Sequence, residues 1–292
     1  MNMRRQRLFG TFTVLILTIS CSLSEVLPAT PTPVDEVGTI VATTLQALTG
    51  IPSEIASTRV SGTPVSFENV SFVIPNGLAG SAHAEKMTAV DSNSGAPWEI
   101  APTHLRFTLT GYPLPSKFHE PRIFVYPADE YAQVNPIAAE QIGNIKKILA
   151  GSTILQETLP RVPWFNAELL IAARIQIIPS QNGRGVRTLT QYAQYAAPIN
   201  NHELFYHFAG VTSDGNYYVI AILPITAPIL AEDEKPEASV PAGGVPIPAD
   251  IGITNSYYSA VTGKLNSLAP DAYTPSLPLL DSLIQSIQVT SP

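Results

Sequence analysis

Apolar residues recur along this chain in two rhythms, and the switches between them mark its elements. In "PVSFENVSFVIP", Val65 and Phe67 alternate with Ser66 and Glu68, and Val70, Phe72 and Ile74 continue at the same spacing. A period of two predicts one or two strands, closed by the turn residues of "PNGLAG". "THLRFTLTGYP" sets Leu105, Phe107 and Leu109 against His104, Arg106, Thr108 and Thr110, a half-buried strand; "PRIFVYP" is another short strand between prolines. The period then lengthens in "NPIAAEQIGNIKKILAG". Asn135 can cap, Pro136 suits the first helical position, Ile142, Ile145, Ile148 and Leu149 share a face, and Gly151 ends the run. Lys146 and Lys147 fall in the last turn, where positive charge complements the helix dipole.

Two hairpins follow. "ELLIAARIQIIPSQNGRGVRTLTQYAQY" has β-rich arms around Asn182-Gly183, a pair suited to the positive φ angles of a type I′ turn. "HELFYHFAGVTSDGNYYVIAILPI" turns at Ser213-Asp214-Gly215-Asn216. In its first arm Leu204, Tyr206 and Phe208 point one way and Phe205 and His207 the other. In its second, Tyr217, Val219, Ala221 and Leu223 oppose Tyr218, Ile220 and Ile222. Both faces are apolar, whereas a strand wetted on one side alternates with polar residues. This pair is therefore expected at the centre of a sheet covered on both sides. The acidic, Pro/Gly-rich "AEDEKPEASVPAGGVPIPAD" reads as a mobile insertion over 231–250. Two helices close the chain, one over Ile253–Leu268 with Tyr257, Tyr258, Val261 and Leu265 in register, the other in "LPLLDSLIQSIQV".

Strands arranged in hairpins predict an α+β fold with a largely antiparallel β-sheet covered by helices on both faces. Early strands, a helix, a run of antiparallel strands and a last helix ending "LLDSLIQSIQV" form an order that resembles the PsbP-like fold, from roughly Thr63 to Val289. The resemblance implies an α/β/α sandwich serving as a small-molecule or partner-binding accessory domain without chemistry of its own. It brings no catalytic residue with it.

The chain opens "MNMRRQRLFGTFTVLILTISCSLSE": Arg4, Arg5 and Arg7, an apolar run from Leu8 to Ile19, then small Ser20 and Cys21. That is the architecture of an export signal, and the run is shorter than the roughly 20 residues of a spanning helix. Thr18-Ile19-Ser20-Cys21 resembles the lipobox of bacterial lipoproteins, with Thr18 where leucine is usual. The resemblance implies cleavage after residue 20, diacylation of Cys21 and attachment to the outer face of the cell membrane. More than one acyl chain gives stable anchoring, at about 0.8 kcal/mol per buried methylene. The expected organisation is a leader over 1–20, a Pro/Thr-rich tether with a short helix over 21–62, and a single domain over 63–292.

Charge and cysteine content narrow the partners. Of the 16 Lys and Arg, Arg4, Arg5 and Arg7 lie in the leader, so 13 remain against 23 acidic residues, a mature charge of about −10. Nucleic acid, which exchanges its counterions for Lys and Arg, is excluded by that balance. Cys21 is the only cysteine, so thiol catalysis and an internal disulfide are excluded from the body, and stability must come from core burial.

No motif in the body converges on chemistry. In "HELFYH" the two histidines are five apart, so His202 and His207 diverge by about 140° on a helix and face opposite ways on a strand; no metal is expected there. G-x-S-x-G and S-x-x-K are missing. "GRGVRT" lacks the following helix that a dinucleotide fingerprint needs, since β-branched "TLTQYAQY" comes next, and no cofactor is expected. Asp129-Glu130 reads as a loop before the long helix, and Glu232, Asp233 and Glu234 as solvated charge. Arg184, Arg187, Tyr192, Tyr195, Asn200, Asn201 and His202 cluster around the ends of neighbouring hairpins and form the candidate binding set, because arginine and tyrosine offer flat amphipathic surface. The expectation is a lipid-anchored, non-enzymatic domain that binds a small ligand or an envelope protein, with an envelope hydrolase or a structural surface protein as alternatives.

Overall fold

The computed structural model describes residues 60–235, 237–251 and 256–291, all within one compact unit, Thr58–Pro292. The leader with Cys21, the tether and the short helix expected within it lie outside the described residues. The first pair of strands, β1 (Gly62–Phe67) and β2 (Val70–Pro75), is a tight hairpin whose turn residue Glu68 has φ 51°. Its period-two pattern is used as expected: Val70, Phe72 and Ile74 are buried.

Strands β3 (Ser81–Met87), β4 (His104–Thr110) and β5 (Arg122–Pro127) follow, then helices α1 (Ala128–Val134) and α2 (Pro136–Leu149). The Asn135 carboxamide oxygen accepts from the backbone N–H of Ile137 and Ala138, at 2.9 and 3.0 Å, so α2 starts where its cap dictates. Asp129 and Glu130, expected in a loop, occupy the first turn of α1, where the same favourable charge–dipole interaction holds. Next come β6 (Glu168–Leu169), β7 (Ala173–Ser180), β8 (Gly183–Thr190), β9 (Tyr192–Ala193), β10 (Phe205–Thr212) and β11 (Tyr217–Pro224). The chain closes with α3 (Ser256–Ser267), α4 (Leu277–Gln285) and β12 (Gln288–Val289).

The main sheet has seven strands in the order β3-β4-β5-β11-β10-β8-β7, and every pairing is antiparallel. A smaller sheet runs β1-β2-β12, and β6 pairs with β9. The fold is thus α+β with a large antiparallel sheet and four α-helices among the described residues. After β5 the chain travels through α1 and α2 to the far edge, then returns strand by strand until β11 lies beside β5. This places β10 and β11 centrally, as their two apolar faces require.

Alternate residues of the central strands enter two separate hydrophobic clusters. Phe107, Ile123, Val125, Tyr206, Phe208, Val219, Ala221 and Leu223 join Val261 and Leu265 of α3 and Leu277, Leu280, Leu283 and Ile284 of α4. Phe124, Tyr126, Phe205, Ala209, Tyr218, Ile220 and Ile222 join Tyr131 of α1 and Ile142, Ile145 and Ile148 of α2. Each such side chain contributes about 1.5–3 kcal/mol on full burial, so two clusters rather than a disulfide hold the body together.

The turn between β7 and β8 differs from expectation. Ser180 pairs with Gly183, so the loop is Gln181–Asn182, and neither Asn182 nor Gly183 has a positive φ. Gly183 serves close approach instead: a Cβ there would lie 2.5 Å from the Val211 carbonyl oxygen on β10. Asn182 is occupied elsewhere, donating from Nδ2 to the Val289 carbonyl and accepting at Oδ1 from the Val289 N–H. Tertiary anchoring to β12 has displaced the local turn chemistry. In the β10–β11 turn, by contrast, Gly215 takes φ 77° and Asp214 accepts from the Asn216 N–H, as its residues suggest.

Candidate functional site

The seven residues of the candidate binding set do not form one site. Arg184 and Arg187 are three positions apart on β8 and so face opposite ways. Arg184 donates to the Leu149 carbonyl at the end of α2, whereas Arg187 turns toward α4. Tyr192 is buried beside Phe165 and Phe205. Tyr195 is 60% exposed and donates to Glu234. Asn200 and Asn201 are structural staples. The Asn200 carboxamide oxygen accepts from the N–H of His202 and Glu203. Asn201 donates to the carbonyls of Ala227 and Leu230 and accepts from the Ala227 N–H. His202 lies edge-on to Phe118, with ring centroids 6.3 Å apart.

Arg187 leads to a different assembly. Its position on β8, between β10 and β7, buries it, so its guanidinium nitrogens need partners. Nε donates to the Arg174 carbonyl at 3.0 Å, Nη1 to Asp281 Oδ2 at 2.6 Å and Nη2 to Gln176 Oε1 at 2.7 Å. The other carboxylate oxygen of Asp281 accepts from the hydroxyl of fully buried Tyr206 at 2.9 Å. Burial pushes the Asp281 carboxyl above the ordinary aspartate value, against the pull of Arg187, and burial with the neighbouring Asp281 charge pushes the Tyr206 hydroxyl far up.

This assembly floors a groove of about 690 Å³ between β7 and the two C-terminal helices, walled by Arg174, Gln176, Asn266, Leu277, Asp281 and Gln285. The β7–β8 register shifts between Ala173 and Gln176, a bulge that turns Arg174 out of the ladder. Arg174 stands at φ 54°, in the left-handed region. That conformation is over-determined: Asn266 Oδ1 accepts its N–H at 2.7 Å, and Arg187 donates to its carbonyl. Its Nη1 donates to the Asn266 carbonyl at 2.9 Å, while Nε is buried with no hydrogen-bond partner.

Sequence reasoning placed Arg187 in its binding set and passed over Arg174, Gln176 and Asp281. A signal for Asp281 existed. It lies between Leu277 and Ile284 at i+4 and i+7 spacing, one charge on an otherwise apolar helical face.

The histidines give a contrasting picture. His207 is fully buried on β10, its Nε2 has no hydrogen-bond partner, and burial drives its pKa down to about 3. His119 stacks on Phe165 and meets Phe205 edge-on; burial, with a smaller contribution from His202, takes it down to about 4. Burial raises the Glu203 carboxyl, against smaller lowering by the Asn200 and Gln191 side chains, the latter donating from Nε2 to Oε2 at 2.9 Å. Among the described residues no group of three or more His, Cys, Asp or Glu could hold a metal ion. No family model, no curated protein and no solved structure matches the chain.

Proposed function

We propose that this chain is a non-enzymatic, lipid-anchored extracytoplasmic accessory domain that binds a small ligand in the groove between β7 and α4. The observation carrying this reading is the way the groove's reactive groups are spent on one another. Arg187, Asp281 and Tyr206 form a closed set of hydrogen bonds, which fixes a surface but leaves no nucleophile beside a free base. A groove of about 690 Å³ lies within the range of small-molecule sites. Membership of α1 and α2 in one cluster and α3 and α4 in the other supports a sandwich with helices on both faces, consistent with the resemblance to the PsbP-like fold. The export leader and Cys21 support display outside the membrane.

The raised carboxyl of Asp281 favours a second reading, an envelope hydrolase using Asp281 as its acid. Incubating the full chain with panels of glycosides, esters and peptides separates the two. The expected result is no turnover. Turnover that disappears in Asp281→Asn would replace binding by hydrolysis.

A further inference from the structure

The hydrogen-bonding capacity left over in the groove includes several donors beside a net positive charge. Arginine and backbone N–H groups can only donate, so an amide that faces them must present its oxygen. Gln176 meets Arg187 Nη2, and Asn266 meets the Arg174 N–H. Both amides therefore spend an acceptor inward, and their NH₂ groups are left over. Asp281 spends Oδ1 on Tyr206 and Oδ2 on Arg187. Acceptor capacity remains on the second lone pairs of Asp281, on the Gln285 carboxamide oxygen and on Ser282, whose hydroxyl donates to the Pro278 carbonyl. Against it stand the NH₂ groups of Gln176, Asn266 and Gln285 and the guanidinium of Arg174.

The guanidinium adds charge and shape. Nη1 is held by the Asn266 carbonyl, which fixes the plane of the group. Nε has no partner, and none of the hydrogen bonds among the described residues uses Nη2. Nε is too buried to be reached, so Nη2 is the donor left for a ligand oxygen, and its hydrogen bond would be charge-assisted. Asp281 pairs with Arg187 and its charge also reaches Arg174, so two guanidinium groups share one carboxylate and the groove keeps a net positive charge. A cation and several donors facing one cavity of about 690 Å³ call for an acceptor-rich anion.

We propose that the groove takes a small organic carboxylate, seated with its carboxylate on Nη2 of Arg174 and its further oxygens on the amides of Gln176, Asn266 and Gln285. This rests on the reading of the groove as a binding site and names its ligand class. Isothermal titration of the full chain in detergent, with succinate, citrate, inorganic phosphate and neutral maltose as separate probes, tests it. Succinate or citrate is expected to bind, with phosphate and maltose weaker. Arg174→Gln is expected to weaken binding about tenfold or more, the loss of a charge-assisted pair. Gln285→Glu, an exposed change that leaves the core untouched, is expected to weaken it several-fold by adding like charge. Preferential binding of maltose or phosphate overturns the carboxylate class and leaves a binding groove standing. Citrate binding unaltered in both variants overturns the groove as its seat. Silence with all four probes overturns the carboxylate class, and the binding reading itself is then judged separately by native mass spectrometry.

Discussion

Removing one member of the Arg187–Asp281 pair strands the other as a charge with little access to water. The side chains are 6% and 17% exposed, so screening by solvent is slight and the penalty falls at about 3–5 kcal/mol. Arg187→Met alone and Asp281→Leu alone should each lower the urea midpoint strongly, and the double variant should recover much of the loss, because two apolar side chains leave no orphan charge. His207 makes a separate prediction about pH. Its ring accepts a proton near 6.5 when unfolded and near 3 when folded. Between those values the unfolded chain holds more protons, so stability falls as pH falls, by up to about 1.4 kcal/mol per pH unit from this residue. His119, folded value about 4, adds a similar slope over a narrower window. Urea denaturation of His207→Phe between pH 7 and about pH 4 should show a shallower acid decline than the parent. An identical slope would mean that the imidazole finds a proton partner in the fold.

At the level of elements, α2 shows how far a local pattern reaches. Its cap, its proline start and its isoleucine stripe were all legible, because each acts within a turn or two. Asn135 also donates to the Ile100 carbonyl, a contact across 35 positions that no local pattern could reveal. Asn135→Ala should cost about 2 kcal/mol, combining the lost cap with the lost long-range bond, read as a shifted urea midpoint. Strand β3 went unread because its inward positions are Ala82 and Ala84, too small to signal a buried face. The β7–β8 hairpin was legible in its arms and misread in its turn, since Asn182 and Gly183 answer to β12 and β10 rather than to each other. Gly185 carries the same lesson further along β8. A Cβ there would meet the Ala209 carbonyl oxygen at 2.3 Å and the Gly210 Cα at 2.5 Å, backbone atoms that cannot yield. Gly185→Ala should therefore cost about 3 kcal/mol or more, seen as a lowered midpoint or as loss of soluble chain.

Across the whole molecule, the central sheet was legible from the two apolar faces of one hairpin, whereas the groove was not. Arg174, Arg187 and Tyr206 come from three strands, and Asp281 arrives from a helix 94 positions after Arg187. Bulging of β7 and docking of α4 bring them together, and both follow from core packing rather than from spacing. The residues that did cluster in sequence, Asn200 and Asn201 among them, are drawn into holding loops. At this scale the proposed lipid anchor also makes a prediction. Fractionation of cells should find the parent chain with membranes, and Cys21→Ala should shift it to the soluble exported fraction. The most direct measurement of the binding role is native mass spectrometry of the chain freshly purified from its own membranes. A small-molecule adduct on the parent, lost in Arg174→Gln and in Gln285→Glu, is the predicted result. A bare mass, or an adduct that survives both substitutions, would contradict it.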